Sequence, residues 1–239
     1  MPGAQHTIAG VVLTMPVRIR RADVHTAMFS VPAEDAQTLI DYSGLRVCEF
    51  QPGRAVVTLM LARYHDGDLG RYHEFGTCVM VNRPESSARG LKALSEAAAF
   101  IHHLPVDQSF TLEAGRTIWG FPKIMADFTV HDANPFSFEV REGGALIAGV
   151  DFKRGVPVPS PRKGPRTLTT YAHADGVTRE VPWEMKNSHV RFRPGGAQLR
   201  LGDHPYAKEL ASLGLPKRPM VSGSVGNVEM TFGDAHVLR

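Results

Sequence analysis

The sequence predicts a β-dominated α+β protein, built as a barrel or as paired antiparallel sheets with about three short helices. Short runs rich in valine, threonine, phenylalanine and tyrosine recur along the chain and end at glycine, aspartate or proline, which is typical of strands. Segments of helix-forming composition are few. The length of 239 residues allows one sizeable hydrophobic core. We therefore expect a single domain over residues 1–239.

The first half of the chain supplies strands and two of the helices. Residues 54–65 and 73–82 are apolar and rich in β-branched side chains, so both are predicted strands. Residues 86–104 have helix-forming composition, and a second helix is expected over 106–116, ending at Gly115. Residues 124–132 return to a strand pattern.

The second half is predicted to be mostly hairpins. Residues 137–152 contain Gly143-Gly144 and residues 167–183 contain Asp175-Gly176, and such pairs supply the positive φ of a tight turn between strands. The Pro-rich stretch 154–167 between them is expected to be a loop. Further along we expect strands at 188–194, 197–203 and 227–238, and a third helix within 202–216.

Composition limits the class of partner. The net charge is +3, but the basic residues are spread along the chain without a lysine run or arginine–aromatic interleaving, so no nucleic-acid partner is expected. In the N-terminal run 9–17 the arginines follow the apolar residues, which is the wrong order for a signal peptide. No stretch approaches the roughly 20 apolar residues of a membrane span. Cys48 and Cys78 lie in apolar runs and are expected to be buried thiols. We expect a cytoplasmic protein without membrane association.

Common site motifs are missing from the sequence. It has no Gly-rich phosphate loop, no G-x-S-x-G elbow and no H-E-x-x-H zinc helix. The adjacent His102 and His103 fall in a predicted helix, where neighbouring side chains diverge by about 100° and do not readily share one ion. No metal site is therefore expected.

The segment 115–123, GRTIWGFPK, sets a lysine in an apolar window. In extended geometry Trp119, Phe121 and Lys123 share one face, so the ammonium of Lys123 loses hydration. Desolvation lowers a lysine pKa, and a neutral amine can attack a ketone to form a Schiff base. The alternative is a lysine that buries only its methylenes and keeps its amine in water. The residues alone leave both interpretations open.

Three segments in order resemble the acetoacetate decarboxylase superfamily. GRTIWGFPK resembles its Schiff-base motif and places Lys123 on the nucleophile. The segment 65–76, HDGDLGRYHEFG, is similar to the family's Tyr-x-Glu-x-Gly region and places Glu74 on its active-site glutamate, and residues 198–226 resemble its closing segment. Acetoacetate decarboxylase is itself a standard example of a lysine activated by its surroundings. The resemblance implies a barrel-like core, a covalent imine instead of an external cofactor, and a homo-oligomer.

The sequence also departs from the family pattern. The decarboxylases that it resembles carry a second lysine after the nucleophile, where this chain has Ile124. They also carry a second acidic residue one strand before Glu74, whereas residues 56–64 contain none. In the family that it resembles, an arginine near the N-terminus helps to hold the substrate carboxylate. Arg20 and Arg21 both lie in that region, and we assign the role to Arg21.

Three functions remain open at this stage. A Schiff-base lyase would decarboxylate acetoacetate or a related β-keto acid through Lys123, with Glu74 moving protons and Arg21, Tyr72, Trp119 and Phe121 binding the small keto acid. An aldolase-dehydratase would instead condense a pyruvate-like 2-oxo acid with an aldehyde through the same lysine. A non-catalytic barrel that binds small carboxylates predicts a solvated or salt-bridged Lys123.

Overall fold

The structure is a computed structural model that describes residues 3–86, 88, 90–159 and 164–238. Strands dominate these residues, as the sequence predicts. In chain order they are β1 (Gln5–Ile8), β2 (Val11–Thr14), β3 (Val17–Pro32), β4 (Arg54–Gly67), β5 (Tyr72–Val81), β6 (Ala98–Val106), β7 (Lys123–Met125), β8 (Asp127–His131), β9 (Phe136–Glu142), β10 (Ala145–Phe152), β11 (Val156–Pro157), β12 (Arg166–Ala174), β13 (Val177–Pro194), β14 (Ala197–Leu201), β15 (Val221–Phe232) and β16 (His236–Val237).

The helices of the described residues are short. They are α1 (Ala33–Ile40), α2 (Gly90–Glu96), α3 (Ser109–Ala114) and α4 (Pro205–Ser212), with a 3₁₀ turn at Asp41–Ser43 and a π-helical turn at Gly115–Trp119. The predicted β-dominated α+β class is confirmed. Helix α1 is an addition to the three helices that the sequence predicts.

Seven strands form a closed ring. Their order is β13-β12-β6-β5-β4-β3-β15, and β15 pairs back onto β13. The neighbours are antiparallel except that β6 runs parallel to β12 and also parallel to the short strand β7, which is attached to it. The ring takes strands from both sides of the Pro-rich stretch, of which residues 160–163 lie outside the described part.

A second sheet covers one side of the ring. Its four antiparallel strands have the order β14-β10-β9-β8, and Gly143 and Gly144 turn the predicted β9–β10 hairpin with φ values of 55° and 82°. One core cluster joins this sheet, α1 and α4 to the outer faces of the ring strands, for example through Phe75 and Phe138. A second cluster fills the ring interior. Because successive strand residues alternate between faces, Glu74 points into the ring while Phe75 points out.

One predicted element is wrong in its second half. Of the helix expected over 86–104, only α2 is helical, and residues 98–106 form β6; residues 87 and 89 lie outside the described part. Alanine favours helices, but this stretch pairs with β5 on one edge and with β12 and β7 on the other. Pairing and burial on both faces outweigh its local propensity.

No helix in the part of the chain that the structure describes has the length and apolar character needed to cross a lipid bilayer.

Candidate active site

Lys123 lies at the start of β7 with its amine inside the ring. The residue is only 2% exposed. Its Nζ lies 2.9 Å from Glu74 Oε2 and donates a 2.9 Å hydrogen bond to Thr111 Oγ1 on α3. The alternative in which the amine stays in water is therefore wrong. Lys123 is instead salt-bridged, which is one of the two states that the non-catalytic reading predicts.

The chain before Lys123 is helical, not extended. The π-helical turn runs through Trp119 and ends at Gly120, whose φ of 67° suits glycine because it has no Cβ. Phe121 N then donates to Gly115 O, and Arg116 Nε donates to Lys123 O at 2.8 Å. The extended geometry predicted for this segment is wrong, but the fold-back brings Trp119, Phe121 and Lys123 to the same cavity.

Gly115 makes room for the lysine stem. A Cβ on Gly115 would lie 2.6 Å from both Cδ and Cε of Lys123 and 3.2 Å from its Nζ. The helix was expected to stop at Gly115, but this residue has ordinary helical dihedrals and the chain continues into the π-helical turn. Its lack of a side chain therefore serves close packing, not helix termination.

Two tyrosines surround the ion pair. Tyr64 OH donates a 2.8 Å hydrogen bond to Glu74 Oε1, and Lys123 Nζ lies 5.2 Å from the centre of the Tyr72 ring. The two phenol rings stack at 4.2 Å. The pKa of both tyrosines is raised well above the ordinary value, mainly by burial and secondly by the negative charge of Glu74. Tyr64 therefore remains a proton donor to the carboxylate near neutral pH.

These groups line a cavity of about 120 Å³. Among its described lining residues the charged ones are Lys123 and Glu74 alone. Burial raises the pKa of the Cys78 thiol to about 12, so it stays protonated. Trp183 and Phe232 are half-buried, and their ring centres lie 5.4 Å apart in a stacked pair. The remaining lining residues are Met60, Tyr64, Leu69, Tyr72, Ala99, Ile101, Leu104, Trp119, Phe121, Thr170 and Met230.

The predicted binding residues divide into two groups. Tyr72, Trp119 and Phe121 line the cavity with Lys123. Arg21 is exposed and instead lines a surface cleft beside Arg20, whose guanidinium pairs with Asp66 near the end of β4 and with Asp68 just after it. Its role in binding a substrate stays a prediction.

Position 124 faces away from the amine. Ile124 is half-buried, and strand alternation directs its side chain opposite to that of Lys123. Ile124 is also absent from the described lining of the cavity. A cation at this position would therefore not contact Lys123 Nζ directly in this structure.

Sequence reasoning missed Thr111 and Tyr64. Nothing in the sequence ties Thr111 to a lysine twelve positions later, since the contact depends on the turn between them. Tyr64 could have been found from the predicted hairpin. It pairs with Tyr72, and Tyr72 lies two positions before Glu74. Residues 56–64 contain no second acid, but they contain Tyr64, whose phenol bonds Glu74.

The arrangement joins a buried amine to a buried carboxylate through one hydrogen bond. Moving a single proton from Lys123 Nζ to Glu74 Oε2 would leave a neutral amine beside a carboxylic acid. A neutral amine is a nucleophile, and a positioned carboxylic acid is a proton donor.

The chain matches a known protein family. The family model of acetoacetate decarboxylase (ADC) matches residues 4–239. A comparison with curated protein sequences found no match.

Several solved structures share the fold. Acetoacetate decarboxylase from Legionella pneumophila has a TM-score of 0.68 at 18% identity, covering 94% of this chain and 87% of that one. The enduracididine biosynthesis enzyme MppR, complexed with the condensation product of pyruvate and imidazole 4-carboxaldehyde, has a TM-score of 0.58 at 17% identity, covering 94% and 90%. An acetoacetate decarboxylase-like enzyme from Sphingomonas wittichii RW1 has a TM-score of 0.59 at 13% identity, covering 99% of both chains.

Proposed function

The chain belongs to the acetoacetate decarboxylase family, and from this premise we propose that it is a Schiff-base-forming lyase that acts on a small keto acid without an external cofactor. The observation that carries the proposal is the amine of Lys123, buried in an apolar cavity 2.9 Å from Glu74. We place decarboxylation of acetoacetate or a related β-keto acid first.

The reaction begins with proton transfer within the pair. Glu74 takes a proton from Lys123, and the neutral amine adds to the ketone carbon to give a carbinolamine. Glu74 returns the proton to the carbinolamine oxygen, which leaves as water, and a protonated imine remains on Lys123. Before the carbon–carbon bond breaks, Glu74 is thus a carboxylate again and Lys123 carries the protonated imine.

Decarboxylation then uses the imine as an electron sink. The bond to the carboxylate carbon breaks, carbon dioxide leaves, and the electron pair moves into the imine to form an enamine. Glu74, a carboxylate after the loss of water, takes a proton from solvent and passes it to the enamine carbon, with Tyr64 bonded to its other oxygen. Addition of water to the new imine releases the ketone and the free amine of Lys123.

The cavity lining supports this step. The described lining residues include no arginine that would stabilise a carboxylate. Loss of carbon dioxide removes the substrate's charge from an apolar site, so the bound keto acid is destabilised relative to the transition state. The volume of about 120 Å³ also favours one small keto acid over two reactants held together.

The second candidate is an aldolase-dehydratase. Its support is the likeness to MppR, a relative in the same fold whose bound ligand is a condensation product of pyruvate and an aldehyde. The chain also has Ile124 in place of the second lysine of the decarboxylases. In this reaction the Lys123 enamine of a 2-oxo acid adds to an aldehyde and the adduct then loses water. The cavity would have to widen to hold both components.

Borohydride trapping tests these readings. The protein is incubated with acetoacetate or pyruvate, reduced, and analysed by peptide mass spectrometry, with Lys123→Ala as the control. We expect an adduct on Lys123 with acetoacetate and release of carbon dioxide without any aldehyde. Trapping of pyruvate alone, without release of carbon dioxide, would favour the aldolase-dehydratase. No Lys123-dependent adduct with either compound would leave the non-catalytic barrel, which the observed ion pair also fits.

A further inference from the structure

Three potential metal ligands converge on the outer face of the ring. His102 Nε2 lies 2.9 Å and His103 Nε2 lies 2.6 Å from the same oxygen, Glu209 Oε2. One ligand atom from each of the three residues lies within 4.8 Å of the other two. His102 is buried, His103 is half-buried and Glu209 is 42% exposed on its side chain. The cluster is therefore packed against the protein at His102 and open to solvent at Glu209.

A β-bulge explains how two consecutive histidines face the same way. In the β5–β6 register Thr77 lies opposite His103 and Cys78 lies opposite Ile101, so His102 is an extra residue. A bulge breaks the alternation of side chains at the point where it occurs. Ile101 and Leu104 accordingly both line the inner cavity, and the two histidines between them both project outward. The helix predicted over His102 and His103 is wrong, so the expectation that their side chains diverge and cannot share an ion no longer applies.

The other partners come from separate elements. Glu209 and Tyr206 are three residues apart on α4 and so share one helix face, and the Tyr206 ring lies 4.0 Å from the His103 ring. Tyr42, in the 3₁₀ turn, bonds His102 Nδ1 at 2.8 Å. Histidines that bind metals almost always use the second ring nitrogen in such a hydrogen bond, which fixes the ring and leaves the first nitrogen free.

We propose that His102 Nε2, His103 Nε2 and Glu209 form a binding site for a divalent transition-metal ion, with Zn²⁺ as the best match. Two imidazoles and one carboxylate are a common zinc donor set, and three protein ligands leave a fourth position for water or a small anion. Zinc bonds of about 2.0–2.2 Å in a tetrahedron separate ligand atoms by roughly 3.4 Å. The present contacts would widen by less than about 1 Å, and half-exposed Glu209 is free to move that far.

Such an ion would fasten α4 to the ring. Glu209 is on the helix, the histidines are on β6, and Tyr42 connects the 3₁₀ turn to the same cluster. These histidines lie on the opposite face of β6 from the residues that line the Lys123 cavity. The site is therefore separate from the lyase centre, and its test does not depend on any reaction at Lys123.

Zinc titration of the full chain tests the proposal. The protein is prepared without an affinity tag, stripped with a chelator, and titrated with Zn²⁺ by calorimetry against a competing chelator, with native mass spectrometry for stoichiometry. We expect one tightly bound ion and a higher melting temperature. His103→Ala and Glu209→Gln should weaken binding by more than about 100-fold, and Tyr42→Phe by about 10- to 100-fold, the usual effect of losing an orienting partner.

A matched control separates this cluster from ordinary surface histidines. His65 also pairs with one carboxylate, Asp23, at 2.9 Å, and His65→Ala should leave zinc binding unchanged. Circular dichroism of the metal-free variants establishes that each one folds, and Glu209→Gln keeps an oxygen that can accept both histidine hydrogen bonds. No binding at millimolar Zn²⁺, or binding that survives both His103→Ala and Glu209→Gln, would overturn the assignment.

Discussion

Replacing Gly115 with alanine should displace the Lys123 amine without unfolding the helix. Gly115 has φ −62° and ψ −41°, which alanine adopts freely. The new methyl group would lie 2.6 Å from Cδ and Cε of Lys123, whereas carbon atoms pack at about 3.5–4.0 Å. The stem must therefore shift by about 1 Å. A shift of that size breaks at least one of the two 2.9 Å contacts of Nζ with Glu74 and Thr111.

A misplacement of about 1 Å can cost about 100-fold in rate, so Gly115→Ala should slow borohydride trapping at Lys123 by roughly that factor. The assay is the initial rate of adduct formation, followed by mass spectrometry with acetoacetate and with pyruvate. Gly226→Ala is the matched control, because its nearest neighbours would be 3.5 Å and 3.6 Å away. Alanine also favours the helix by about 1 kcal/mol over glycine. A folded Gly115→Ala protein that traps at the wild-type rate would refute this account of the site.

Three further predictions concern charge. Glu74→Gln should lower the free energy of unfolding, measured in urea, by about 3–5 kcal/mol, because it leaves the buried ammonium of Lys123 without its partner. The double variant with Lys123→Met should recover most of the loss. A double variant as unstable as the single one would contradict this. Ile124→Lys should leave the pH profile of trapping unchanged, since the side chain faces away from the cavity; a shifted profile would place the cation near the amine. Burial lowers the pKa of His25 to about 4 in the folded chain, from about 6.5 in the unfolded chain. Between these pH values a proton binds the unfolded chain more tightly. The free energy of unfolding should therefore fall by about 3 kcal/mol as the pH drops from about 6.5 to 4. Melting temperatures across that window should show a smaller decline for His25→Phe, and an equal decline would assign the effect elsewhere.

The sequence predicted the strands and the pairing of Lys123 with Glu74 better than it predicted the turn before Lys123. Alternating patterns and Gly-containing turns are local, so the β9–β10 hairpin could be read directly. Lys123 and Glu74 came from motifs, and their contact depends on β5 and β7 both lying beside β6. The π-helical turn and the bulge at His102 could not be read, because each adds one residue to a regular pattern and has no compositional mark.

The stacked pair Trp183–Phe232 has a kinetic consequence. Lys123 and Glu74 are 2% and 5% exposed, so a keto acid reaches them only by passing the side chains that line the cavity. We expect the half-buried pair Trp183 and Phe232, which lines this cavity, to part as a keto acid enters, which would make substrate capture a gated step. The rate of such a step would be set by side-chain motion and not by the electrophilicity of the ketone. Keto acids of different reactivity should therefore converge on one limiting rate of capture.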